Sequence, residues 1–204
     1  NEKKIKVGIA GGRSTAFIMG LQDMPNVEIS AICELDTPLM HLVGDQLNIA
    51  QNRRYRVFED MMDAALDAVI IATPMQCHVP QALMALEAGM HVMSEVTAGV
   101  TMDELWWLIE SVEKSGKTYM MAENYMYMPQ VQIVNEMVKK GMFGECYYAE
   151  GAYIHNLDGL FRYGEGNFHH GKASWRSYWQ CGKRGNFYPT HALGPVMQWF
   201  PGDH

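Results

Sequence analysis

The first regular pattern in the chain is IKVGIAGGRSTA, residues 5–16. Its first half is an apolar run typical of a buried β-strand, and its second half turns through two glycines into a helix predicted over 15–22. Glycines at such a turn let the backbone approach a pyrophosphate, which then rests on the amides at the helix N-terminus. The stretch therefore predicts a dinucleotide-binding strand, turn and helix. The candidate phosphate-loop residues are Gly11, Gly12, Arg13 and Ser14.

The glycine spacing departs from the common fingerprint G-x-G-x-x-G/A. When the fingerprint is read from Gly11, its three positions fall on Gly11, Arg13 and Ala16, so the first and last comply and the middle one does not. A loop one residue shorter, using both Gly11 and Gly12, is a second interpretation. The structural alternative is an ordinary strand-to-helix turn that binds nothing.

An acidic residue stands where a dinucleotide fold binds ribose. Glu34 follows the second predicted strand, 27–33, and lies 23 residues after Gly11. A carboxylate there accepts hydrogen bonds from the adenosine ribose hydroxyls and repels a 2′-phosphate, and the next residue, Leu35, supplies no cation. The sequence therefore predicts NAD rather than NADP as the cofactor.

Short apolar runs alternate with helical patterns as far as residue 122. This alternation predicts parallel βαβ units with right-handed crossovers, and so an α/β fold of the Rossmann type with a doubly wound parallel sheet. Ligands bind at the carboxyl ends of strands in such sheets, which brings Thr73, Pro74 and Glu95 to the cofactor side. The predicted strands are 5–10, 27–33, a weak one at 56–58, 68–72, 91–94 and 118–122, and the predicted helices are 15–22, 38–51, 80–88 and 102–115.

The pattern changes after the sixth predicted strand. We expect a domain boundary there, with a dinucleotide-binding domain in 1–122 and a partial α+β substrate domain in 123–204. The second part begins with a helix predicted over 129–140, followed by a strand period over 145–154. Residues 156–188 are rich in Gly, His, Trp and Tyr and show little periodicity, and irregular stretches of this length are commonly functional.

Composition excludes several classes of protein. The chain has 204 residues, of which 48% are hydrophobic and 19% charged, so it can bury a sizeable core. Its uninterrupted apolar runs are far shorter than the ~20 residues of a membrane-spanning helix. The net charge of −7 and the lack of a basic cluster argue against a nucleic-acid partner. The histidines at 155, 169 and 170 have no acid or cysteine at supporting spacing, so no metal site is expected.

The four cysteines are scattered without a C-x-x-C pair, which favours a reducing compartment over a disulfide framework. The polar lead at 1–4 runs directly into a strand pattern, with no hydrophobic signal region. We therefore expect a cytoplasmic protein. A periplasmic location, after removal of a signal that precedes residue 1, is the alternative.

Two motifs in the first domain carry a family resemblance. They are A-T-P-x-x-x-H at 72–78 and A-G-x-H-V-x-x-E at 88–95. With the glycine loop and Glu34, they resemble the glucose-fructose oxidoreductase / inositol dehydrogenase / MocA family. The resemblance implies an NAD-binding Rossmann domain, adds His78 to the cofactor residues, and implies a C-terminal domain with a large open sheet that often mediates oligomerisation. The chain is too short to hold that sheet, so we expect a truncated or incomplete second domain, and a homo-oligomer where the full domain is present.

Two positions depart from the dehydrogenases of that family. The triplet E-K-P, whose lysine lies near the reacting carbon, is replaced by E-V-T at 95–97. The pair D-x-x-x-H is replaced by a stretch reading Y-P-T-H at 188–191. Both ordinary acid/base positions are altered, which argues against a simple alcohol dehydrogenase mechanism.

The second part of the chain resembles another branch, glycoside hydrolase family 109. The motifs are E-N at 123–124, G-A-Y-I-H at 151–155, W-R at 175–176 and G-N-F-Y-P-T-H at 185–191. Those enzymes are similar in fold but retain NAD while they hydrolyse α-N-acetylgalactosaminides. The resemblance implies substrate-site roles for Glu123, Tyr153, Arg176, Tyr188 and His191.

In such a reaction the sugar is oxidised at C3, which acidifies the C2 proton; elimination of the glycosidic oxygen, addition of water and return of the hydride follow. His191 suits the role of base for the 3-hydroxyl proton, because imidazole gains and loses a proton near neutral pH. Tyr153 or Tyr188 suits the role of base for the C2 proton if the pKa of its phenol is lowered by the nicotinamide ring and Arg176. Glu123 can accept sugar hydroxyls. The structural alternatives are a helix cap for His191, core packing for Tyr153, and an ion pair of Arg176 with Glu165 or Asp158.

Three functions remain open at this point. The first is an NAD-dependent oxidoreductase that acts on a sugar or sugar derivative by hydride transfer. The second is an NAD-retaining redox glycosidase that acts on a glycoside. The third is a non-catalytic NAD-binding sensor subunit, which the short second domain and the irregular glycine loop suggest.

Overall fold

The computed structural model describes residues 3–165 and 167–200. The chain forms two compact units, Asn1–Ala122 and Glu123–His204. The described part of the first unit is built on one parallel sheet, whereas the second is built on helices and irregular segments.

The first unit contains a sheet of six parallel strands. They are β1 (Ile5–Ala10), β2 (Val27–Cys33), β3 (Arg54–Tyr55), β4 (Ala68–Ile71), β5 (His91–Ser94) and β6 (Tyr119–Met121). Their order across the sheet is β3-β2-β1-β4-β5-β6, so the direction of winding reverses between β1 and β4. This order is that of the dinucleotide-binding fold, and it confirms the predicted doubly wound α/β class.

Helices connect these strands, and the longest of them shows how the sequence sets its ends. Thr101 accepts a hydrogen bond from the Glu104 amide, and Glu104 accepts one from the Thr101 amide, which closes a capping box. Gly116 ends the same helix with a φ of 63°, a conformation that glycine adopts without strain. The helices of this unit are α1 (Ile18–Gln22), α2 (Thr37–Gln46), α3 (Phe58–Met61), α4 (His78–Glu87) and α5 (Met102–Ser115).

Both faces of the sheet are buried. Val69 and Ile71 belong to a hydrophobic cluster that includes residues of α4. Ile9 and Ile70 belong to a second cluster that includes residues of α2. Successive residues of β4 therefore point into different clusters, which explains why its sequence is continuously apolar rather than alternating.

Three predicted elements of this unit are displaced. The weak strand expected at 56–58 forms instead at Arg54–Tyr55, and Phe58, which is 5% exposed, begins α3. The helix expected over 38–51 ends at Gln46, because Asn48 adopts a φ of 55° that cannot continue a right-handed helix. The helix expected over 15–22 starts as a tighter 3₁₀ turn, Gly12–Phe17, ahead of α1.

The second unit is helical in its described part. Its α-helices are α6 (Pro129–Lys139), α7 (Trp175–Trp179) and α8 (Pro189–Met197), and 3₁₀ turns form at Tyr125–Tyr127 and Asp158–Leu160. Both α6 and α8 carry proline in their first turn, where its missing N–H costs nothing. No helix among the described residues is both long enough and apolar enough to cross a membrane.

The strand predicted over 145–154 is not formed, so this prediction was wrong. Tyr147 and Ile154, two of the apolar residues that gave the period, are 94% and 95% exposed. Among the described residues of this unit, β-type pairing is a single bridge between Arg162 and Ala173. Alternating apolar and polar residues are typical of a strand, but a strand also needs a neighbouring strand that hydrogen-bonds its backbone N–H and C=O groups.

Candidate functional site

The loop after β1 is shaped by one glycine. Gly11 has a φ of +85°, and a Cβ on it would lie 2.5 Å from the carbonyl oxygen of Ala72 at the end of β4. Its own carbonyl accepts hydrogen bonds from the Ser14 amide, at 2.9 Å, and from the Ser14 hydroxyl, at 2.6 Å. The loop thus passes closely over the point where the strand order reverses, which is where such folds bind their ligands.

Glu34 lies beside this loop. A Cβ on Gly12 would stand 3.2 Å from Glu34 Oε2 and 2.9 Å from a methyl group of Leu39. The other carboxylate oxygen, Oε1, accepts a hydrogen bond from the Asp36 amide at 2.9 Å. Burial raises the pKa of the Glu34 carboxyl, although the amides of residues 35, 36 and 12 act in the opposite direction. The carboxylate is therefore held over the glycine loop, which fits the ribose role predicted for it.

Arg13 stands at the position where the fingerprint has its second glycine. Its Nε lies 3.6 Å from Glu95 Oε1, so the predicted phosphate loop is joined by an ion pair to the residue that follows β5. The Arg13 side chain is 76% exposed and Glu95 is 17% exposed. Two of the predicted cofactor residues therefore meet in the structure, and the guanidinium keeps access to solvent.

His78 has a different place from the other predicted cofactor residues. It is 1% exposed, with Nδ1 2.7 Å from the Thr97 carbonyl oxygen and Nε2 2.8 Å from the Thr73 carbonyl oxygen. The Thr73 hydroxyl donates to Gln81 Oε1 at 2.6 Å, and Pro74 precedes the turn that leads into α4. His78 thus braces the loops after β4 and β5 at their backbone.

The second unit brings the five predicted substrate-site residues into one neighbourhood of side chains. Its centre is an ion pair or hydrogen bond between His191 Nδ1 and Glu123 Oε1, at 2.7 Å. Both side chains are largely buried, with 10% and 6% exposure. His191 lies inside α8 and its ring reaches Glu123, so it does not cap that helix. The carboxylate holds the Nδ1 proton, which leaves Nε2 as the ring nitrogen that can accept a proton.

The Glu123 carboxylate is stabilised in its charged form. Burial raises its pKa, but this effect is outweighed by the Tyr125 amide, which donates to Oε1 at 2.8 Å, by the Thr190 hydroxyl and by His191. The net result is a pKa below the ordinary carboxyl range. Glu123 therefore hydrogen-bonds His191 through Oε1, and its role as an acceptor for sugar hydroxyls stays a prediction.

Aromatic rings surround the imidazole. The centroid of the Tyr153 ring lies 5.0 Å from that of His191, and Tyr188 lies 5.7 Å from it. The Tyr125 ring stacks on the imidazole with centroids 4.0 Å apart and planes inclined by 18°. Tyr125 was missed in the sequence, although it directly follows the E-N motif at 123–124. The only sequence feature that could have pointed to it is the short turn Tyr125–Tyr127 after Glu123, and a turn has no hydrophobic periodicity by which it can be recognised.

The two candidate tyrosine bases differ in their surroundings. Burial, followed by Tyr125 and Tyr188, raises the pKa of Tyr153, and the lowering effect of Arg176 is smaller. The Tyr188 hydroxyl accepts hydrogen bonds from Gln180 Nε2, at 3.1 Å, and from Arg176 Nη2, at 3.4 Å. A base at Tyr153 would need a lowered phenol pKa, whereas the residues of this chain raise it.

Arg176 is directed toward aromatic partners. Its guanidinium carbon lies 4.5 Å above the ring of Trp175, in addition to its contact with the Tyr188 hydroxyl. Its Nε is buried and makes no hydrogen bond within the described part of the chain. Across residues 3–165 and 167–200, no group of three or more His, Cys, Asp or Glu side chains could hold a metal ion.

The chain belongs to the oxidoreductase family with an NAD-binding Rossmann fold, whose family model matches residues 5–123. Residues 127–203 match the model of the glycosyl hydrolase 109 C-terminal domain. Both family resemblances drawn from the sequence motifs are therefore confirmed.

Similar proteins agree with this assignment. An alpha-N-acetylgalactosaminidase from Shewanella oneidensis is 34% identical over 207 residues, which cover 96% of this chain and 44% of that protein. The chain thus spans less than half the length of the curated relative it matches.

Solved structures show the same fold. A myo-inositol 2-dehydrogenase from Lactobacillus plantarum superposes with a TM-score of 0.70 at 21% identity, covering 78% of this chain and 48% of that one. An oxidoreductase from Agrobacterium radiobacter, crystallised with NAD+, L-tartaric acid and magnesium, superposes with a TM-score of 0.63 at 25% identity, covering 70% of this chain and 42% of that one.

Proposed function

We propose that this chain carries out NAD-dependent hydride transfer on a sugar, in the form of redox-neutral cleavage of an α-N-acetylgalactosaminide or a closely similar glycoside. The observation that carries the proposal is the buried Glu123–His191 pair with Tyr153 and Tyr188 around it. The similarity of residues 127–203 to the glycosyl hydrolase 109 C-terminal domain supports the same reading.

The first unit supplies residues that fit NAD. Gly12 carries no side chain and lies beside Leu39 and the Glu34 carboxylate, so its backbone is open to close approach by a ligand. We assign the diphosphate to the loop of Gly11, Gly12, Arg13 and Ser14, and the adenosine ribose to Glu34. Thr73, Pro74 and Glu95 follow β4 and β5, and His78 supports them through backbone carbonyls. Bound NAD supplies a positively charged hydride acceptor that later returns the hydride.

The second unit supplies the proton-transfer groups. Glu123 fixes the Nδ1 proton of His191, so that Nε2 faces the substrate as a base for the sugar hydroxyl that becomes a carbonyl. This arrangement is the one in which a carboxylate orients a histidine and stabilises its protonated form. The buried Arg176 Nε is a donor without a protein partner among the described residues, and we assign it to a sugar hydroxyl or acyl oxygen.

Two tyrosines can exchange the proton on the neighbouring sugar carbon. The Tyr188 oxygen accepts from two N–H donors, an arrangement that supports negative charge on oxygen. Tyr153 is closer to His191, but its raised pKa means that it acts as a base only beside an added positive charge. Tyr153→Phe and Tyr188→Phe, compared by the rate of solvent exchange at C2, identify which phenol serves.

The experiment that tests the function compares two substrates with added NAD. A chromogenic α-N-acetylgalactosaminide should release its aglycone without net accumulation of NADH, and release should stop in His191→Ala. Accumulation of NADH with a free sugar or polyol, and no aglycone release, would make the protein a dehydrogenase instead. Binding of NAD with neither reaction would support a sensor subunit and overturn the enzymatic proposal.

We also propose a cytoplasmic location and, where the full second domain is present, a homo-oligomer. Cys33, Cys77, Cys146 and Cys181 are all free, as in proteins of reducing compartments. Analytical ultracentrifugation of protein that has the full second domain, at several concentrations, tests the assembly. A monomer throughout would contradict it.

A further inference from the structure

One side chain that neither the motifs nor the proposed reaction assigns contacts the centre of the candidate site three times. Tyr125 opens the turn Tyr125–Tyr127, and its amide donates to the Glu123 oxygen that also binds His191. Its ring lies flat against the imidazole, with 4.0 Å between centroids. The same ring meets Tyr153 edge-on, with centroids 5.6 Å apart and planes inclined by 66°.

These contacts leave the imidazole few ways to move. The hydrogen bond to Glu123 fixes the direction of Nδ1 but still allows the ring to tilt about that bond. A parallel ring at 4.0 Å blocks this tilt on one face, because any inclination brings the two rings into contact. Because the same ring meets Tyr153 edge-on, one residue contacts both the imidazole and the second phenol.

We propose that Tyr125 is a positioning residue: its ring sets the plane of the His191 imidazole and, by its edge-on contact, holds the Tyr153 phenol beside it. The proposal deepens the proposed function and rests on it for the effect on turnover. Its effect on His191 stands on the geometry of the second unit alone. A misplacement of about 1 Å at a proton-transfer group can cost a hundredfold in rate, so loss of this support should be measurable.

Three variants separate the ring, the hydroxyl and the turn. Tyr125→Leu removes both parts of the side chain, and Tyr125→Phe keeps the ring alone. Tyr127→Leu is the matched control, because Tyr127 occupies the same turn and is 73% exposed. Thermal unfolding of each variant shows whether the fold is retained, and the Phe variant keeps the test decisive if the Leu variant does not fold.

The first readout is the NMR spectrum of histidine-labelled protein, which does not depend on turnover. A stacked ring shifts the carbon-bound imidazole protons of His191 upfield. We expect this shift in the wild type, in Tyr125→Phe and in Tyr127→Leu, and its loss in Tyr125→Leu. An unshifted His191 in the wild type, or the same shift in Tyr125→Leu, would overturn the proposal.

The second readout is the split between kcat and KM for aglycone release. Tyr125→Leu should lower kcat by about tenfold to a hundredfold with little change in KM, and Tyr125→Phe should recover most of that loss. If kcat fell equally in Tyr125→Phe and Tyr125→Leu, the ring of Tyr125 would not be what positions His191. If the NMR results hold while the wild type releases no aglycone, the positioning role survives and the proposed function fails.

Discussion

The two units of this chain build their candidate sites in different ways. In the first, the site is set by backbone: a glycine at a φ of +85° with no room for a Cβ, and the ends of paired strands. In the second, it is set by side chains that contact one another across turns and short helices, with Glu123 and His191 at the centre. Backbone sites follow from the periodicity of the strands that carry them, whereas side-chain sites depend on contacts that no local pattern announces.

Removing the central histidine should give the largest effect and should be confined to the second unit. We expect His191→Ala to lower kcat for aglycone release by about a hundredfold to ten-thousandfold, because it removes the proposed proton acceptor. NAD affinity, measured by calorimetry, should stay within about twofold of the wild type, since the loop at Gly11 is untouched. Tyr178→Ala, at a side chain that is 81% exposed, is the control. Retained turnover would return His191 to a structural role.

A change in the glycine loop of the first unit should instead lower NAD affinity. Gly11→Ala places a Cβ 2.5 Å from the Ala72 carbonyl oxygen at a φ of +85°, and strain of this kind costs about 1–3 kcal/mol. We expect NAD affinity to fall by at least tenfold and the free energy of unfolding in urea to fall with it. Gly20→Ala is the matched control, because a Cβ there meets nothing within 4 Å. Unchanged affinity in Gly11→Ala would remove the loop from the cofactor site.

A change at Glu34, the proposed ribose ligand, should have a smaller effect, on the selectivity for NAD over NADP. Glu34→Arg replaces a carboxylate that repels a 2′-phosphate with a cation that attracts one. The ratio of NAD to NADP affinity should fall by about tenfold to a hundredfold, which corresponds to roughly 1.4–3 kcal/mol. Glu28→Arg, at an exposed position within β2, controls for the change of charge. A ratio that does not move would show that Glu34 does not bind ribose.

The smallest expected effect comes from comparing the buried carboxyl of Glu123 with the half-buried carboxyl of Glu34. Glu123 has a lowered pKa in the fold, so its contribution to stability is present above the carboxyl pKa of the unfolded chain and is lost as pH falls through the folded value. Glu34 has a raised pKa, so its contribution is complete below the unfolded value and is lost as pH rises through the folded one.

Urea unfolding at pH 7 and pH 3.5 therefore separates them. At pH 7, Glu123→Gln should be less stable than the wild type and Glu34→Gln more stable, and both differences should shrink at pH 3.5. Differences of the same sign for both variants at pH 7 would contradict the contrast.

Much of the first unit could be predicted from sequence. Val27–Cys33, His91–Ser94 and Met102–Ser115 form with the expected bounds, because apolar period, capping residues and Gly116 agree there. The third strand was misplaced because it has only the two residues Arg54 and Tyr55, too few to show a period.

The second unit could be predicted less well, for physical reasons. The strand expected over 145–154 has the right alternation but no neighbour that pairs its backbone among the described residues. The family motifs pointed to side chains that lie together in the structure, yet the pairing of Glu123 with His191 and the stacking of Tyr125 depend on how α8 and the turn at 125–127 pack. No spacing in the sequence encodes that packing.

The most direct test of the central claim is the isotope content of the sugar released from an α-N-acetylgalactosaminide in deuterated water with NAD present. If oxidation, elimination and return of hydride occur as proposed, the released sugar carries one deuterium at C2, and Glu123→Gln lowers the rate at which it forms. Sugar released without deuterium at C2, or at a rate that does not depend on NAD, would contradict the account.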